Sequence, residues 1–245
     1  MHDLFTRGVD AHGHLRPPYD EAPELYKESE LGWIPREWET DRVGNLGEVK
    51  LGRQRAPKYQ LGINPRPYLR VVNVFDDRLD LRDVLSMDFS PEEFEKYRLE
   101  PGDVLLTEGD LVGPWNVGRS AVYRGEIDGC CFQNTLIRFR PQLQDASEYF
   151  HSAFCFLRSL GKFAQETMAT TVFHLSAGRL KEIYTVLPPE RERRVISQTL
   201  LEQEHVVDIQ RKQHAKLLKL KTGLMQDLLT GNVRVKLDDP QKTPA

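Results

Sequence analysis

The sequence has little of what secreted, membrane or metal-binding proteins need. It contains three cysteines in 245 residues, Cys130, Cys131 and Cys155, and none of them forms a CxxC pair. This spacing argues against a disulfide framework or a zinc site and favours a reducing compartment. No apolar run approaches the roughly 18–20 residues of a membrane span, and the N-terminus lacks the apolar centre of a signal peptide. We therefore expect a cytoplasmic protein with no metal, no cofactor and no membrane partner.

Motifs of catalytic chemistry are also missing. The glycines Gly109, Gly113 and Gly118 are not followed by Lys and Ser or Thr, so they form no phosphate-binding loop. The segment Asn64-Pro-Arg-Pro67 is only faintly similar to the Asn/Asp-Pro-Pro-aromatic motif of amino-methyltransferases, because Arg66 interrupts it and no methyl-donor glycine motif accompanies it. No pattern of acids and lysine fits a nuclease. We therefore expect a chain that is not an enzyme.

The net charge of −3 does not indicate a nucleic-acid-binding protein, but the charges are unevenly distributed. Residues 49–75 contain six basic residues and no acid, whereas residues 76–110 contain twelve acids and four bases. Residues 209–226 again contain five basic residues and no acid. A near-neutral total can hide one basic face, and a basic stripe is typical of phosphate binding. An ordinary solvated surface is the alternative, so charge alone leaves both interpretations open.

The hydrophobic pattern predicts an α+β fold, a globular mixed α/β domain followed by a long helix. Runs rich in β-branched and aromatic residues predict strands at residues 68–75, 104–107, 120–123 and 133–140. Ser90 and Pro91 predict the start of a short helix. Aromatic residues at helical spacing predict a second helix over residues 146–166, and such a stripe is usually core.

The long helix begins after Pro188-Pro189 and is predicted to run for about 40 residues, against about 11–12 for a mean helix. A domain of this size has no room to bury such a length, so the helix must pack on another long helix. One stripe alternates by four and three positions, which is the period of a coiled coil. The predicted pairing residues are Ile196, Leu200, Gln203, Val207, Gln210, His214, Leu217, Leu224 and Leu228. The polar middle of this stripe weakens pairing but selects the partner.

The end of the long helix is repeated at the start of the chain. Residues 225–233 read MQDLLTGNV and residues 1–9 read MHDLFTRGV, with five identical positions. This spacing is too long for a solenoid repeat and indicates one module flanked by two copies of a helix end. The predicted parts are a helix remnant and linker (1–30), a globular domain (31–187), a long spacer and dimerisation helix (188–233) and a flexible tail (234–245).

These motifs resemble the specificity subunit of type I restriction-modification enzymes over essentially the whole chain. Residues 219–235, KLKTGLMQDLLTGNVRV, resemble the end of the family's conserved spacer helix and are the most specific match. Residues 187–192, LPPERE, resemble the proline pair before that helix, although Arg193 replaces the family's usual glutamine. Residues 31–38, LGWIPREW, resemble the entry to a target recognition domain. Three further motifs recur inside such domains, at residues 101–106, 118–122 and 133–134.

The resemblance implies a half-length form of this subunit, with one target recognition domain and one spacer helix where a full family member has two of each. It implies a DNA-binding subunit that reads one half of a bipartite target on double-stranded DNA. Methyltransferase (M) subunits would dock on it, and the motor-nuclease (R) subunit would join afterwards. The long helix would pair with a second specificity half or with a second copy. The alternative is a fragment that binds methyltransferase subunits or another half-subunit without reading DNA.

Three loops contain the candidate DNA contacts, because Arg, Gln and Asn side chains can read base edges and Lys can hold phosphates. The predicted contacts are Arg53, Gln54, Arg55, Lys58 and Tyr59 in the first loop, Trp115, Asn116 and Arg119 in the second, and Thr171 and His174 in the third. For each residue taken singly, a structural role is the alternative. As a set of loops on one face, they favour a DNA-binding surface.

Overall fold

The fold is taken from a computed structural model of the chain. The structure describes residues 1–56, 62–110, 117–165, 173–231 and 233. The chain forms two compact units, Met1–Gln198 and Thr199–Ala245. Within the described residues, no helix is long and apolar enough to cross a membrane. The mixture of helices and strands followed by a long helix confirms the predicted α+β class.

Helices and strands alternate irregularly along the first unit. In the described part of the chain, the helices are α1 (His2–Thr6), α2 (Val43–Leu46), α3 (Pro91–Tyr97), α4 (Ser147–Ser159), α5 (Lys162–Gln165), α6 (Ala177–Glu182) and α7 (Glu190–Leu229). The strands are β1 (Tyr26–Ser29), β2 (Gly32–Pro35), β3 (Glu39–Arg42), β4 (Gly47–Leu51), β5 (Pro65–Leu69), β6 (Val74–Phe75), β7 (Arg78–Leu79), β8 (Leu85–Asp88), β9 (Val104–Thr107), β10 (Gly109–Asp110), β11 (Ser120–Val122), β12 (Cys131–Phe132), β13 (Leu136–Pro141), β14 (Phe173–His174) and β15 (Tyr184–Leu187).

A four-stranded antiparallel sheet in the order β11-β9-β13-β4 forms the centre of the first unit. In its register, Leu106 lies opposite both Ser120 and Ile137, and Ile137 lies opposite Leu51. A three-stranded sheet pairs β5 with β12 in parallel and with β8 in antiparallel orientation. The two-stranded sheets described are β1-β2, β3-β15, β6-β7 and β10-β14.

Both faces of the central sheet are covered, since all four residues of β9 are buried. Successive side chains of a strand point to opposite faces. On one face, Phe139 packs against Phe150 and Phe154 of α4, with ring centroids 4.9 and 5.2 Å apart. On the other face, Leu105 and Leu136 belong to an apolar cluster. The predicted aromatic stripe of α4 is therefore core.

The predicted start of α3 is confirmed by its cap. Ser90 Oγ accepts a hydrogen bond from the Glu93 N–H at 3.2 Å, and the Glu93 carboxylate accepts one from the Ser90 N–H at 3.0 Å. The predicted helix over residues 146–166 is interrupted, because α4 ends at Ser159 and α5 begins only at Lys162. Of the two residues between them, Gly161 has a φ of +72°, a conformation that favours glycine.

The predicted strand over residues 68–75 is broken in its middle. β5 ends at Leu69, and a 3-10 turn over Val71–Asn73 separates it from β6. The buried Asn73 side chain holds this turn, because its amide donates to the backbone carbonyls of Asp80 and Asp83 at 2.8 and 2.9 Å. Hydrogen bonds from a side-chain amide to nearby backbone carbonyls compete with the hydrogen bonds of a strand. The β-branched composition of residues 68–75 does not reveal this competition.

The N-terminal segment packs on the first turn of α7 through a buried carboxylate. Glu192 accepts hydrogen bonds from the Val9 N–H at 2.7 Å, from the Arg16 guanidinium at 2.5 and 3.0 Å and from the Trp38 indole N–H at 3.0 Å. Arg16, Trp38 and Glu192 are all buried. We name Gly8, Val9, Arg16, Trp38 and Glu192 the helix junction.

The helix junction places the start of the chain inside the first unit. The predicted remnant and linker at 1–30 therefore belongs to the same compact unit as the globular domain. The motif-based boundary at residue 188 precedes the structural division, which falls after Gln198. The first turns of α7 belong to the first unit, in which Ile196 is 0% exposed. The predicted tail at 234–245 lies outside the described residues.

Candidate nucleic-acid interface

One edge of the central sheet brings together the described residues of the three loops predicted to contact DNA. β4 and β9 end at this edge and β11 and β13 begin there, because each neighbouring pair is antiparallel. Residues 52–56 follow β4, and Arg119 directly precedes β11. His174 lies in β14, which pairs with β10 just after β9. We name this surface the loop edge, with Gln54, Arg55, Arg78, Arg119 and His174 as its members.

Backbone hydrogen bonds connect the loops at this edge. The Asn134 N–H donates to the Arg53 carbonyl at 3.0 Å, in the turn just before β13. The Glu108 N–H donates to the Thr135 carbonyl at 3.0 Å, and the Leu175 N–H donates to the Glu108 carbonyl at 2.7 Å. Segments that are distant in sequence thus lie side by side at the loop edge.

The ten predicted DNA contacts divide into three groups. Five of them, Lys58, Tyr59, Trp115, Asn116 and Thr171, lie outside the described residues. Gln54, Arg55 and His174 are exposed, and Arg119 is half-buried. Arg53 is buried, with 4% of its surface exposed. The structure therefore brings four of the five described candidates to one accessible edge.

Arg53 is a buried structural residue next to the loop edge. Its guanidinium donates to the Glu93 carboxylate at 2.9 and 2.7 Å and to the backbone carbonyl of Asp88. The guanidinium carbon lies 4.6 Å from the centroid of the Phe89 ring. A buried guanidinium held by a carboxylate cannot leave it without a large penalty. We therefore assign Arg53 to the framework of the edge and correct its predicted place among the DNA contacts.

Arg119 and Arg78 form a basic pair, of which the sequence indicated only Arg119. Their guanidinium carbons lie 5.5 and 5.4 Å from the centroid of the same Phe75 ring. A hydrogen bond of 3.2 Å from the Asp77 N–H to the Ser120 carbonyl holds the β6-β7 hairpin beside β11. Among the described residues, Nε of Arg119 has no hydrogen-bond partner. Arg78 was missed because tertiary packing, and no local motif, brings it to the edge.

Glu108 gives the loop edge a charge that changes near neutral pH. Burial raises the pKa of its carboxyl to about 7. Its side chain is 13% exposed, and its Oε1 lies 3.4 Å from Nε2 of His174. An ionised carboxylate here would repel phosphates, so a carboxyl that is partly protonated at neutral pH weakens that repulsion.

Glu108→Gln is expected to remove a pH-dependent loss of stability. The folded chain keeps this carboxyl protonated up to a pH of about 7, whereas the ordinary value of 4.5 applies to the unfolded chain. Wild-type stability therefore falls as the pH rises from about 4.5 to about 7, by on the order of 2–3 kcal/mol. The glutamine variant lacks this fall, so its stability relative to wild type should be greater at pH 8 than at pH 4.5.

Urea unfolding of wild type and Glu108→Gln across this pH range measures the difference. The matched control is Glu21→Gln, which removes an exposed carboxyl and should leave the pH dependence unchanged. Parallel curves for wild type and Glu108→Gln would contradict a proton held at Glu108.

A second polar cluster lies between α4 and the β6-β7 hairpin. His151 is 4% exposed, with Nδ1 3.0 Å from Ser120 Oγ and Nε2 2.8 Å from Asp77 Oδ1. Cys155 Sγ lies 3.8 Å from Asp77 Oδ1 and 4.0 Å from each ring nitrogen of His151. Asp77, His151 and Cys155 thus have the side-chain types of metal ligands within one cluster. Both imidazole nitrogens are already engaged, so the arrangement is a closed hydrogen-bond network.

The same cluster has the composition of a Ser-His-Asp triad but not its accessibility. A nucleophilic serine must reach a substrate carbonyl. Ser120 is 0% exposed and lies in the central sheet, so no substrate can approach its Oγ. The cluster therefore ties α4 to the hairpin that carries Arg78 and supports the loop edge.

The described part of the chain is an α+β domain with basic and amide side chains at one sheet edge, followed by a long helix with exposed side chains. Residues 35–219 match the family described as "Type I restriction modification DNA specificity domain". This match covers well over half of the chain, and the chain belongs to that family. The predicted family resemblance is confirmed.

Two curated relatives come from Methanocaldococcus jannaschii. The putative type I restriction enzyme MjaX specificity subunit is 26% identical over 218 residues, which cover 86% of this chain and 49% of the relative. The type I restriction enzyme MjaVIII specificity subunit is 24% identical over 248 residues, covering 96% of this chain and 53% of the relative. The chain spans about half the length of these relatives, as the predicted half-length form does. Both are named as specificity subunits, which agrees with the prediction of a non-catalytic chain.

Two solved structures share the fold. One comes from a study of complex assembly and conformational transition of the type I R-M system, with a TM-score of 0.57, 20% identity and coverage of 85% of this chain and 49% of that chain. The other is the HsdS subunit from Thermoanaerobacter tengcongensis, with a TM-score of 0.55, 19% identity and coverage of 87% and 50%. At these identities the likeness concerns the fold.

Proposed function

We propose that the chain is a sequence-specific DNA-binding specificity subunit that reads one half of a bipartite target on double-stranded DNA through the loop edge. The observation that carries this proposal is that described residues of the three predicted loops meet at one sheet edge in a chain of the specificity family. Gln54 has the donor and acceptor pair that fits adenine, and Arg55 has the fork that fits guanine. Arg78 and Arg119 are suited to phosphates, which position the domain on the duplex.

We infer that α7 is the spacer on which methyltransferase (M) subunits dock, with the motor-nuclease (R) subunit joining through that complex. Large apolar side chains are exposed along it, at Val206, Val207, Ile209, Leu217, Leu218, Leu220, Leu224, Met225, Leu228 and Leu229. A helix with so much exposed apolar surface gains stability when partners cover it. We place this assembly in the cytoplasm, where a reducing environment suits the three free cysteines.

Two of the predicted pairing residues of α7, Ile196 and Leu200, are not available to a partner helix. Ile196 and Leu200 are 0% and 7% exposed, so they are already buried within the chain and cannot insert into a partner helix. The remaining predicted pairing residues are exposed, namely Gln203, Val207, Gln210, His214, Leu217, Leu224 and Leu228. We propose that they form a coiled coil with a second specificity half or with a second copy.

A fragment that binds methyltransferase subunits or another half-subunit without reading DNA is the second candidate, and the exposed apolar side chains of α7 favour it. The two functions differ in whether the loop edge matters. Reconstitution with the cognate methyltransferase, followed by sequencing of the methylated DNA, separates them. A gapped palindromic target means that two copies assemble and read DNA. A stable complex without methylation supports the interaction-only function.

Arg78→Ala combined with Arg119→Ala is expected to weaken DNA binding and its salt dependence. For every phosphate that the protein no longer neutralises, the slope of log K against log salt falls by roughly 0.9, so the double variant should have a slope smaller by about 1.8. Fluorescence anisotropy with duplex DNA between about 50 and 200 mM salt measures both quantities. Arg36→Ala, which replaces an exposed arginine outside the loop edge, is the control and should leave the slope unchanged. A wild-type affinity that is flat with salt would overturn the proposed function.

A further inference from the structure

We propose that Val72 is a specificity-determining residue that contacts the 5-methyl group of a thymine in the major groove of the target. The inference deepens the proposed function and rests on it, because it names one chemical group that the loop edge recognises. It adds an apolar contact to the polar and basic contacts proposed for Gln54, Arg55, Arg78 and Arg119.

The turn that contains Val72 lies at the loop edge. The Val71 N–H donates to Thr135 Oγ1 at 3.1 Å. Thr135 lies in the turn just before β13, where the N–H of the preceding residue, Asn134, donates to the Arg53 carbonyl at 3.0 Å. Arg53 is followed directly by the two loop-edge residues proposed to read bases. Two hydrogen bonds therefore connect the turn of Val72 to the base-reading segment.

Hydrogen bonds anchor this turn to the first unit. Asn73 is 1% exposed, and its side-chain amide donates to the backbone carbonyls of Asp80 and Asp83 at 2.8 and 2.9 Å. The Asn73 N–H donates to the Arg70 carbonyl at 2.8 Å, and Asn73 Oδ1 accepts from the Arg70 N–H at 3.0 Å. The residues on both sides of Val72 are thus held in place, so a contact with DNA requires little further ordering of the turn.

Val72 is the residue of the 3-10 turn whose side chain is exposed, at 47%. A single exposed apolar residue is ordinary on a protein surface, so the exposure alone indicates nothing. A β-branched residue contributes most where it packs in a strand, whereas about half of the surface of Val72 stays in water. Local choices that do not serve the fold are expected at functional sites, and this one stands at the loop edge.

The side chain of Val72 fits one feature of the major groove. The 5-methyl group of thymine is the apolar group among the base edges there, and apolar side chains contact it. Valine can neither donate nor accept a hydrogen bond. A donor or acceptor of another base would lose water against valine without gaining a protein partner. The chemistry of the side chain therefore favours thymine over the other bases.

The acidic residues that follow the turn are ion-paired, which weakens their repulsion of phosphates. Residues 76–83 contain four aspartates. Their basic partners are Arg158 for Asp76, His151 for Asp77, Arg82 for Asp80 and Arg70 for Asp83. A duplex can therefore approach Val72 beside an acidic stretch of sequence.

Deoxyuridine, which lacks the 5-methyl group of thymidine, tests the contact. The probe is the duplex that the wild-type chain selects from a random-sequence pool, and each of its thymines is replaced in turn by uracil. We expect one replacement to weaken the binding of wild type by about fourfold, which corresponds to the burial of one methyl group. Fluorescence anisotropy measures the dissociation constants.

Val72→Ala should bind the unmodified duplex about fourfold more weakly than wild type and lose no further affinity when that thymine is replaced, because both changes remove the same contact. Val72→Ile keeps an apolar side chain and should keep the sensitivity to the methyl group. Leu15→Ala is the matched control, because Leu15 is 44% exposed and pairs with Val9 of the helix junction. It should bind both duplexes as wild type does. Thermal melting checks that each variant is folded.

The possible results separate this inference from the proposed function. A wild-type chain that binds all duplexes equally would overturn the proposed function and the role of Val72 with it. A wild-type chain that selects a target without thymine, or that responds to every uracil replacement as Val72→Ala does, would overturn the role of Val72 alone.

Discussion

Glu192→Ala is expected to lower the free energy of unfolding of the first unit by about 3–5 kcal/mol, the range for breaking a buried ion pair. The carboxylate accepts hydrogen bonds from the Val9 N–H, the Arg16 guanidinium and the Trp38 indole. Its removal takes the buried counter-ion from Arg16, whose other carboxylate partner, Glu37, has a side chain that is 69% exposed. The indole N–H of the fully buried Trp38 loses its acceptor as well.

The position of Glu192 at the start of α7 is not sufficient to produce a loss of this size. An acid in the first turn of a helix contributes about 0.3–1 kcal/mol through the helix dipole. Glu190 occupies the same turn, but its side chain is 66% exposed and pairs with Arg194 at the surface. Glu190→Ala is therefore the matched control, with an expected loss of about 0–1 kcal/mol.

Urea unfolding of the full chain, followed by tryptophan fluorescence, measures both variants. Glu192→Gln keeps the shape of the side chain but removes its charge, so we expect an intermediate loss. If Glu192→Ala costs no more than Glu190→Ala, the helix junction does not hold the N-terminal segment to α7. The docking of residues 1–9 would then need another explanation.

Gly8 shows how far the sequence predicts this junction. Gly8 follows α1 and has a φ of +63°, a conformation that favours glycine. The steric reason for glycine is visible only in the structure, where a Cβ atom would lie 2.1 Å from Glu192 Oε1 and 2.3 Å from Trp38 Cζ2. These neighbours are distant in sequence, so no local signal could reveal them.

The family, the long helix and the cap at Ser90 were predictable because their signals are local. Motif spacing, helical period and a serine three residues before a glutamate each involve a few neighbouring positions. Burial does not follow from such signals. Arg53 belongs to a basic loop, yet Glu93 and Asp88 from another part of the chain enclose it. Ile196 fits a pairing stripe but is buried in the first unit.

The loop edge contains one residue, Arg78, that local signals in the sequence did not predict. Gln54, Arg55, Arg119 and His174 were predicted from the types of their side chains, and the order of the antiparallel strands gathers them at one edge. Arg78 has the same chemistry but lies in a short hairpin between acidic residues. Its place beside Phe75 and Arg119 follows from tertiary packing. Residue type therefore predicts candidates, and topology decides which of them meet.

Asp77→Asn is expected to cost about 2 kcal/mol at neutral pH and to flatten the pH dependence of stability. Burial alone lowers the pKa of His151, but the hydrogen bond to Asp77 and the neighbouring Cys155 outweigh it and raise the pKa to about 10. The folded chain therefore holds this proton up to a pH of about 10, whereas the unfolded chain releases it near 6.5. The stabilisation is fully present below pH 6.5 and is lost as the pH rises to about 10.

The asparagine substitution removes the charge of residue 77 and leaves its backbone geometry unchanged. Asp77 has a φ of +64°, and asparagine is among the residues that tolerate this left-handed conformation. Asp76→Asn is the matched control, because Asp76 is adjacent, has a side chain that is 53% exposed and pairs with Arg158 near the surface. It should cost about 0–1 kcal/mol with no change in the pH profile.

Unfolding free energies at pH 6, 8 and 10 decide whether the His151 network is an ion pair or a neutral hydrogen-bond chain. For an ion pair, Asp77→Asn is much less stable than wild type at pH 6, and the difference shrinks at pH 10 because wild type no longer has its advantage. For a neutral chain, the difference is the same at all three pH values.

The ion pair also has a consequence for the loop edge. Because Asp77 anchors the hairpin that carries Arg78 beside Ser120, Asp77→Asn should weaken DNA binding more than Asp76→Asn does.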